Sequence, residues 1–349
     1  MGLKKRIEEI ILRRSNSYNF YKDYYEKHHD VSTENLHPQV AKLQKEFNRY
    51  KKRNDEYINS ANFLFNKIFI DYELNKPNPL LDNIQKLCVE LMTFIANINK
   101  KYDLEWWLEA GNLLGAVRHG YFVPWDDDTD IGMMRKDYIK LCSVIEKEVE
   151  IHGLNDIIQI LYRPLKFEGM EIGKFLQLYV RHEVSTGKTP RLAGVDVFPY
   201  DFLNDYNKDS FGDEYYESKR RYYRNIGNNV DYETTLKRLY EDLNLNMDKA
   251  QYVVPGVEGA FGKNNIYKLM VLDYDTVFPL KELPYGEKVF PAPNDPHTYL
   301  KSVYGDYLSV PKAVHRHPRI EQLRYATDAL EVFEEMKRRL REVNDNFQF

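Results

Sequence analysis

At 349 residues, 43% hydrophobic and 30% charged, the chain is long enough for one large or two ordinary domains with a substantial core, and its formal charge of -4 leaves no basic footprint for bulk nucleic-acid binding. Cys88 and Cys142 are too few for a disulfide framework, which fits a reducing cytoplasm. No apolar run approaches the ~18 residues of a membrane span, and the start of the chain lacks the uninterrupted apolar stretch of a signal peptide.

In chain order, Leu3, Ile7, Ile10 and Ile11 recur at helical spacing among Lys4, Lys5, Arg6, Arg13 and Arg14. Residues 1–14 therefore read as a basic amphipathic helix suited to peripheral membrane contact, with an ordinary surface helix as the plainer alternative. Arg6 stands where a myristoylation signal needs Ser or Thr. Residues 35–75 read as a polar helix with aromatic anchors, broken by "NKPNP" at Asn75–Pro79. A second helix follows Pro79, with Asp82 in its first turn and Ile84, Leu87, Cys88, Leu91, Ile95 and Ile98 on one face.

"LEWWLEAGNLLGAVRHG" then passes from a short apolar strand through a glycine turn into a helix. "KFLQLYVRH" alternates, with Leu176, Leu178 and Val180 on one face, and "GVDVFPYD" alternates until Pro199 is expected to stop it. From Tyr206 the chain is charged, tyrosine-rich and mainly helical, with a hairpin expected through "TVFPLKELPYGEKVFP" and a closing helix over Thr327–Val343. The expected fold class is α+β, a mixed β-sheet core flanked by helices with helical N- and C-terminal extensions. The expected division is a helical extension over 1–79, a catalytic core over 80–205, and a mainly helical region over 206–349 that completes the donor and acceptor sites.

"FVPWDDDTDIG", Phe122–Gly132, places four aspartates in five positions. Unpaired carboxylates repel and are costly to bury, so a positive partner belongs among them, and a metal ion answers the need. As a strand, "DTDIGM" sends Asp128 and Asp130 to one face about 7 Å apart. Hard cations such as Mg²⁺ (or Mn²⁺) take such oxygen ligands together with substrate phosphates. A calcium-loop reading starting at Asp126 fails at Ile131, where glycine is required.

Upstream, Gly111 lies where a strand turns into a helix. The N–H groups from Asn112 to Leu114 are expected to form an anion site there, although a glycine at such a turn is more often a turn residue alone. Asp196, on a later strand with Val195 and Val197 facing away, is a third carboxylate able to complete the metal site or act as general base. Arg118 can hold phosphate oxygens or serve as a surface ion-pair residue, and His119 and His317 are by default structural.

"WWLEAGNLLGAVRHGYFVPWDDDTDIGMMRKDY", with "VDVFPYD" and more loosely "YLKSVYGDYLSVP" and His317, resembles the LicD-type phosphotransferases, relatives of fukutin in the nucleotidyltransferase superfamily. The resemblance spans residues 80–318 and implies a nucleotidyltransferase-like sheet. It makes Gly111 and Asn112 the glycine-turn pair, Asp128 and Asp130 the metal pair and Asp196 the third carboxylate, with Arg118 and His317 toward the substrate. Asn112 departs from the small hydroxyl or glycine usual at its position. The implied reaction moves a phospho-alcohol group, phosphocholine or an alditol phosphate, from a CDP-linked donor such as CDP-choline onto a hydroxyl of a glycan or lipid-linked glycan, releasing CMP. It implies no nucleic-acid partner. Of the two donors, phosphocholine is the expected one, because the tyrosine-rich "DEYYESKRRYYRN" offers aromatic faces for a quaternary ammonium. A metal-dependent glycosyltransferase using the same DxD, and an inactive glycan- or nucleotide-binding scaffold, are the other classes to be separated by assay.

Overall fold

The computed structural model describes residues 37–69, 79–167, 170–259, 269–308, 319–323 and 325–349. The amphipathic segment 1–14, the break at 75–78 and His317 lie outside the described residues. The chain divides into two compact units, residues 1–65 with 312–314 and residues 66–311 with 315–349. Helix α1, His37–Phe69, supplies the described part of the first unit. Among the described residues, no helix is long and apolar enough to cross a membrane.

The second unit is an α+β fold built on one mixed sheet. Helix α2, Pro79–Lys101, starts at the proline and buries Ile84, Leu87, Cys88, Leu91, Ile95 and Ile98 completely, each apolar side chain contributing roughly 1.5–3 kcal/mol of gross transfer free energy. Strand β1, Trp107–Leu108, leads into helix α3, Ala110–His119; β2, Thr129–Met134, leads into helix α4, Arg135–Ile151. Strands β3, Ile158–Phe167, β4, Met170–Arg181, and β5, Arg191–Leu203, complete the main order β1-β2-β5-β4-β3. Only β2 and β5 run parallel within it, the remaining pairs being antiparallel.

Pro199 does not end its strand. It follows the last β4 pair, Leu176 with Val197, and precedes the first pair with the strand Tyr252–Pro255, Tyr200 with Pro255, so its missing N–H falls at a change of neighbour. Its carbonyl still accepts from Gly256 N–H at 2.8 Å. The region after 206 also adds strands to the same sheet: β6, Leu245–Asn246, and β7, Tyr252–Pro255, pair with β5, and β8, Leu272–Asp273, pairs with β7.

Helices α5, Phe211–Gly227, and α6, Tyr232–Leu243, close a second hydrophobic cluster. The expected hairpin is present as β9, Lys281–Tyr285, and β10, Lys288–Ala292, followed by helix α7, Pro296–Tyr304. A short helix α8, Arg319–Leu323, and the closing helix α9, Ala329–Asp345, end the chain. Helix α9 packs along α2, where Arg341 and Asn344 both bond Glu90 and Lys337 reaches Asn83.

Candidate active site

Parallel pairing sets Asp130 of β2 beside Asp196 of β5, and antiparallel pairing sets Gln177 of β4 on the far side of Asp196. Side chains in register on neighbouring strands share a face about 4.8 Å apart, so the two carboxylates and the amide form one row. Gln177 Nε2 donates to Asp196 Oδ1 at 2.6 Å, which fixes that carboxylate. Asp126, Asp127 and Asp128 sit in the loop before β2, each offering an oxygen within 4.8 Å of the others.

The crowding of acids shows in their protonation. Burial, reinforced by the charge of Asp128, pushes Asp126 well above the ordinary carboxylate range. Burial, then the charges of Asp128, Asp196, Asp126 and Glu109, does the same to Asp130. The charges of Asp128 and Asp196, with those of Asp126 and Glu109, thus all act on Asp130. An all-oxygen donor set of such density suits a hard divalent cation such as Mg²⁺ or Mn²⁺.

Gly111 and Asn112 serve this loop in ways the motif did not reveal. A methyl on Gly111 would stand 2.5 Å from Asp126 Oδ2, so the bare glycine lets that carboxylate rest against the start of α3. The N–H groups of Asn112 and Leu113 both donate to the Glu109 carbonyl, at 2.9 and 3.1 Å. Of the expected anion cradle from Asn112 to Leu114, the first two N–H groups are therefore engaged within the turn, and the protein's own Asp126 lies at the helix start. The preceding Ala110 has φ 43°, a left-handed conformation costing a residue with a Cβ roughly 1–2 kcal/mol.

The Asn112 side chain is buried and bridges two elements. Its Oδ1 accepts from Asp130 N–H at 2.5 Å, and its Nδ2 donates to Tyr285 Oη at 2.7 Å. A hydroxyl could not span both partners, which accounts physically for the departure from the usual small residue. Asn112 thereby ties β2 to the β9–β10 hairpin.

Glu109 went unnoticed in the sequence because nothing marks a lone glutamate before a glycine turn. Its N–H donates to Asp130 O at 3.0 Å, and its Oε2 accepts from Trp107 Nε1 at 3.0 Å and Tyr299 Oη at 2.5 Å. Its Oε1 is buried without a partner among the described residues, and burial raises its pKa. Arg118 stands apart from the acids: its Nη1 donates to the Tyr307 carbonyl at 3.0 Å and its Nε to His119 Nε2 at 3.0 Å. Among the described residues, Arg319 reaches the aspartate loop, in an ion pair of 3.3 Å with Asp127 Oδ1.

The tyrosines of "DEYYESKRRYYRN" are largely committed elsewhere. Tyr215 donates to the Pro255 and Gly256 carbonyls, Tyr223 to Val257 O, and Tyr222 to Glu258, all three rings being buried.

Fold and site together define a nucleotidyltransferase-type domain with a clustered acidic site, a glycine turn followed by carboxylates on adjacent strands. Residues 103–228 match the family model described as LicD/FKTN/FKRP, nucleotidyltransferase domain, which assigns that segment to the family. It is 34% identical over 68 residues to the lipopolysaccharide cholinephosphotransferase LicD of Haemophilus influenzae, covering 20% of this chain and 26% of that protein. It is 40% identical over 48 residues to the human ribitol 5-phosphate transferase FKRP, covering 14% of this chain and 10% of that protein. An uncharacterized protein of Rickettsia prowazekii, RP689, is 43% identical over 56 residues, 16% of this chain and 21% of its own length. The matched segments thus span about a quarter or less of these relatives.

Proposed function

We propose that the chain transfers a phospho-alcohol group, phosphocholine in the first reading, from a CDP-linked donor to a hydroxyl of a cell-surface glycan or its lipid-linked precursor, releasing CMP. The observation that carries this reading is the row of Asp130 and Asp196 on parallel neighbouring strands beside the Asp126–Asp128 loop, within a domain of this family. Asp128, Asp130 and Asp196 are the residues that would hold a divalent cation, with Asp126 an added oxygen donor. Such a cation, when bound, would neutralise the diphosphate of a nucleotide donor and support the charge of the departing CMP.

The chain's own residues supply the rest. Gly111 admits Asp126 to the start of α3, and Asn112 holds the backbone of Asp130 in place. Asp196, oriented by Gln177, accepts the proton of the attacking hydroxyl. Arg118 contributes by holding the loop at Tyr307 beside α3, and His317 is assigned to the substrate on the motif alone. Residues 1–14 are proposed to bring the enzyme to the inner face of a membrane, where a lipid-linked acceptor would be met.

A second reading, transfer of ribitol or glycerol phosphate, has its own support. The buried tyrosines of α5 have their rings packed and their hydroxyls bonded, which removes them as a cage for choline, and a ribitol 5-phosphate transferase is among the matched relatives. The test is CMP release by the purified chain from CDP-choline, CDP-ribitol and CDP-glycerol with Mg²⁺ or Mn²⁺, beside UDP-glucose as control. Release from one CDP-alcohol, lost in Asp128→Asn, names the donor. Release of UDP alone would replace this reading with a glycosyltransferase, and no release from any donor would favour a binding scaffold.

A further inference from the structure

Arg319 opens α8, more than a hundred residues beyond Asp196 in sequence, yet the residue is only 9% exposed and its side chain enters the aspartate loop. Its Nη1 donates to the Asp127 carbonyl and lies 3.3 Å from Asp127 Oδ1. On its other arm, a methyl placed on Gly194 of β5 would stand 3.2 Å from Nη2. The same two peptides are gathered from beneath by α2, where Cys88 Sγ lies 3.8 Å from Asp127 O and 3.9 Å from Gly194 O. Thr129 Oγ1 adds a bond of 2.7 Å to the Gly194 carbonyl.

Asp127 immediately precedes Asp128, and Gly194 is two residues before Asp196, on the same face of β5 by strand alternation. A guanidinium bonded to the Asp127 carbonyl, with its other arm in the space a side chain at Gly194 would fill, therefore constrains the distance between carboxylates contributed by two separate elements. We propose that Arg319 is a positioning residue for the metal-binding carboxylates, locking the Asp127 peptide to β5 so that Asp128 and Asp196 keep a common centre. The proposal rests on the metal-site reading above. A planar fork is what the geometry requires, since a lysine ammonium supplies the charge without reaching in two directions.

Charge and position predict opposite signs here. Removing a cation from beside a cluster of carboxylates, by Coulomb's law alone, tightens cation binding. Loosening the ligands weakens it, by about 10–100-fold for lost outer partners of a metal site. The experiment is titration of the full chain with MnCl₂ alone, without any nucleotide, followed by calorimetry or Mn²⁺ paramagnetic resonance. Arg319→Met is expected to weaken Mn²⁺ binding about 10–100-fold despite the added negative charge, and Arg319→Lys to recover only part of it.

Because Arg319→Met leaves the Asp127 carboxylate buried beside a lost cation, the pair Asp127→Asn and Arg319→Met/Asp127→Asn repeats the comparison without that charge. The double variant should bind Mn²⁺ about 10-fold or more weaker than Asp127→Asn. Equal or tighter binding in Arg319→Met, or full recovery with lysine, overturns the proposal and leaves the metal site standing. Failure of the parent chain to bind Mn²⁺ overturns the metal site and this role with it.

Discussion

Gly111→Ala isolates the contribution of Asp126. The new methyl would lie 2.5 Å from Asp126 Oδ2, whereas ordinary contact begins at 3.4 Å, so the carboxylate must retreat by 3.4 − 2.5 = 0.9 Å or swing away. Gly111 is not among the glycines with positive φ, so the backbone accepts alanine. Within a helix the exchange gains about 0.5–1 kcal/mol, so thermal stability should hold or rise. A displacement near 1 Å in a catalytic constellation costs on the order of 10²-fold, and turnover of the CDP-alcohol should fall by roughly 10–100-fold. The assay is CMP release at saturating donor, with unfolding followed on the same samples. A double-mutant cycle sharpens it: in Asp126→Ala the methyl meets nothing, so Gly111→Ala should cost little further activity. Parental turnover in Gly111→Ala, or an undiminished loss in the Asp126→Ala background, would refute the assignment of Asp126 to the site.

Asp128→Asn, Asp130→Asn and Asp196→Asn should each lower turnover by at least ~10²-fold with the fold retained, and chelator should do the same to the parent; retained activity in all three with unchanged unfolding would move the site elsewhere. Asp126 and Asp130 have folded pKa values raised by burial and neighbouring carboxylates, so in chelator their contribution to stability is full below the unfolded value and is lost as pH rises through the folded one. The melting temperature of Asp126→Asn/Asp130→Asn should therefore gain on the parent as pH rises above ~4, and the stabilisation of the parent by Mn²⁺ should grow over the same window; a pH-independent difference would contradict both shifts. Arg135, 1% exposed, pairs in two-pronged fashion with both Asp201 and Glu258, so Arg135→Met should cost ~3–5 kcal/mol in denaturant unfolding, and a loss below ~1 kcal/mol would show the network to be dispensable.

The fully buried face of α2 and the expected strands, the hairpin and the closing helix all follow from spacing, because a period of 3.6 or 2 in apolar residues is decided locally and needs only some core to face. The Gly111 turn and the strand carrying Asp130 were legible for the same reason, lying in one continuous stretch, whereas Asp128 falls in the loop before β2 and not on the strand face expected for it, because β2 begins only at Thr129. Pairing was not. The row of Gln177, Asp196 and Asp130 depends on which strands become neighbours and in what register, and Pro199 could be read as a stop only while its neighbours were unknown. Glu109 is buried by Tyr299, 190 residues away, and Arg319 reaches Asp127 across 192, so no window of sequence contains either relation. Composition likewise presented the tyrosines of α5 as faces for a ligand, whereas the chain folds them onto the carbonyls of residues 255–257. Local pattern thus determined the elements and the presence of an acidic centre, because those depend on near neighbours along the chain. Tertiary structure decided which oxygens, amides and cations surround that centre, because burial and hydrogen-bond geometry exist only once distant segments have met.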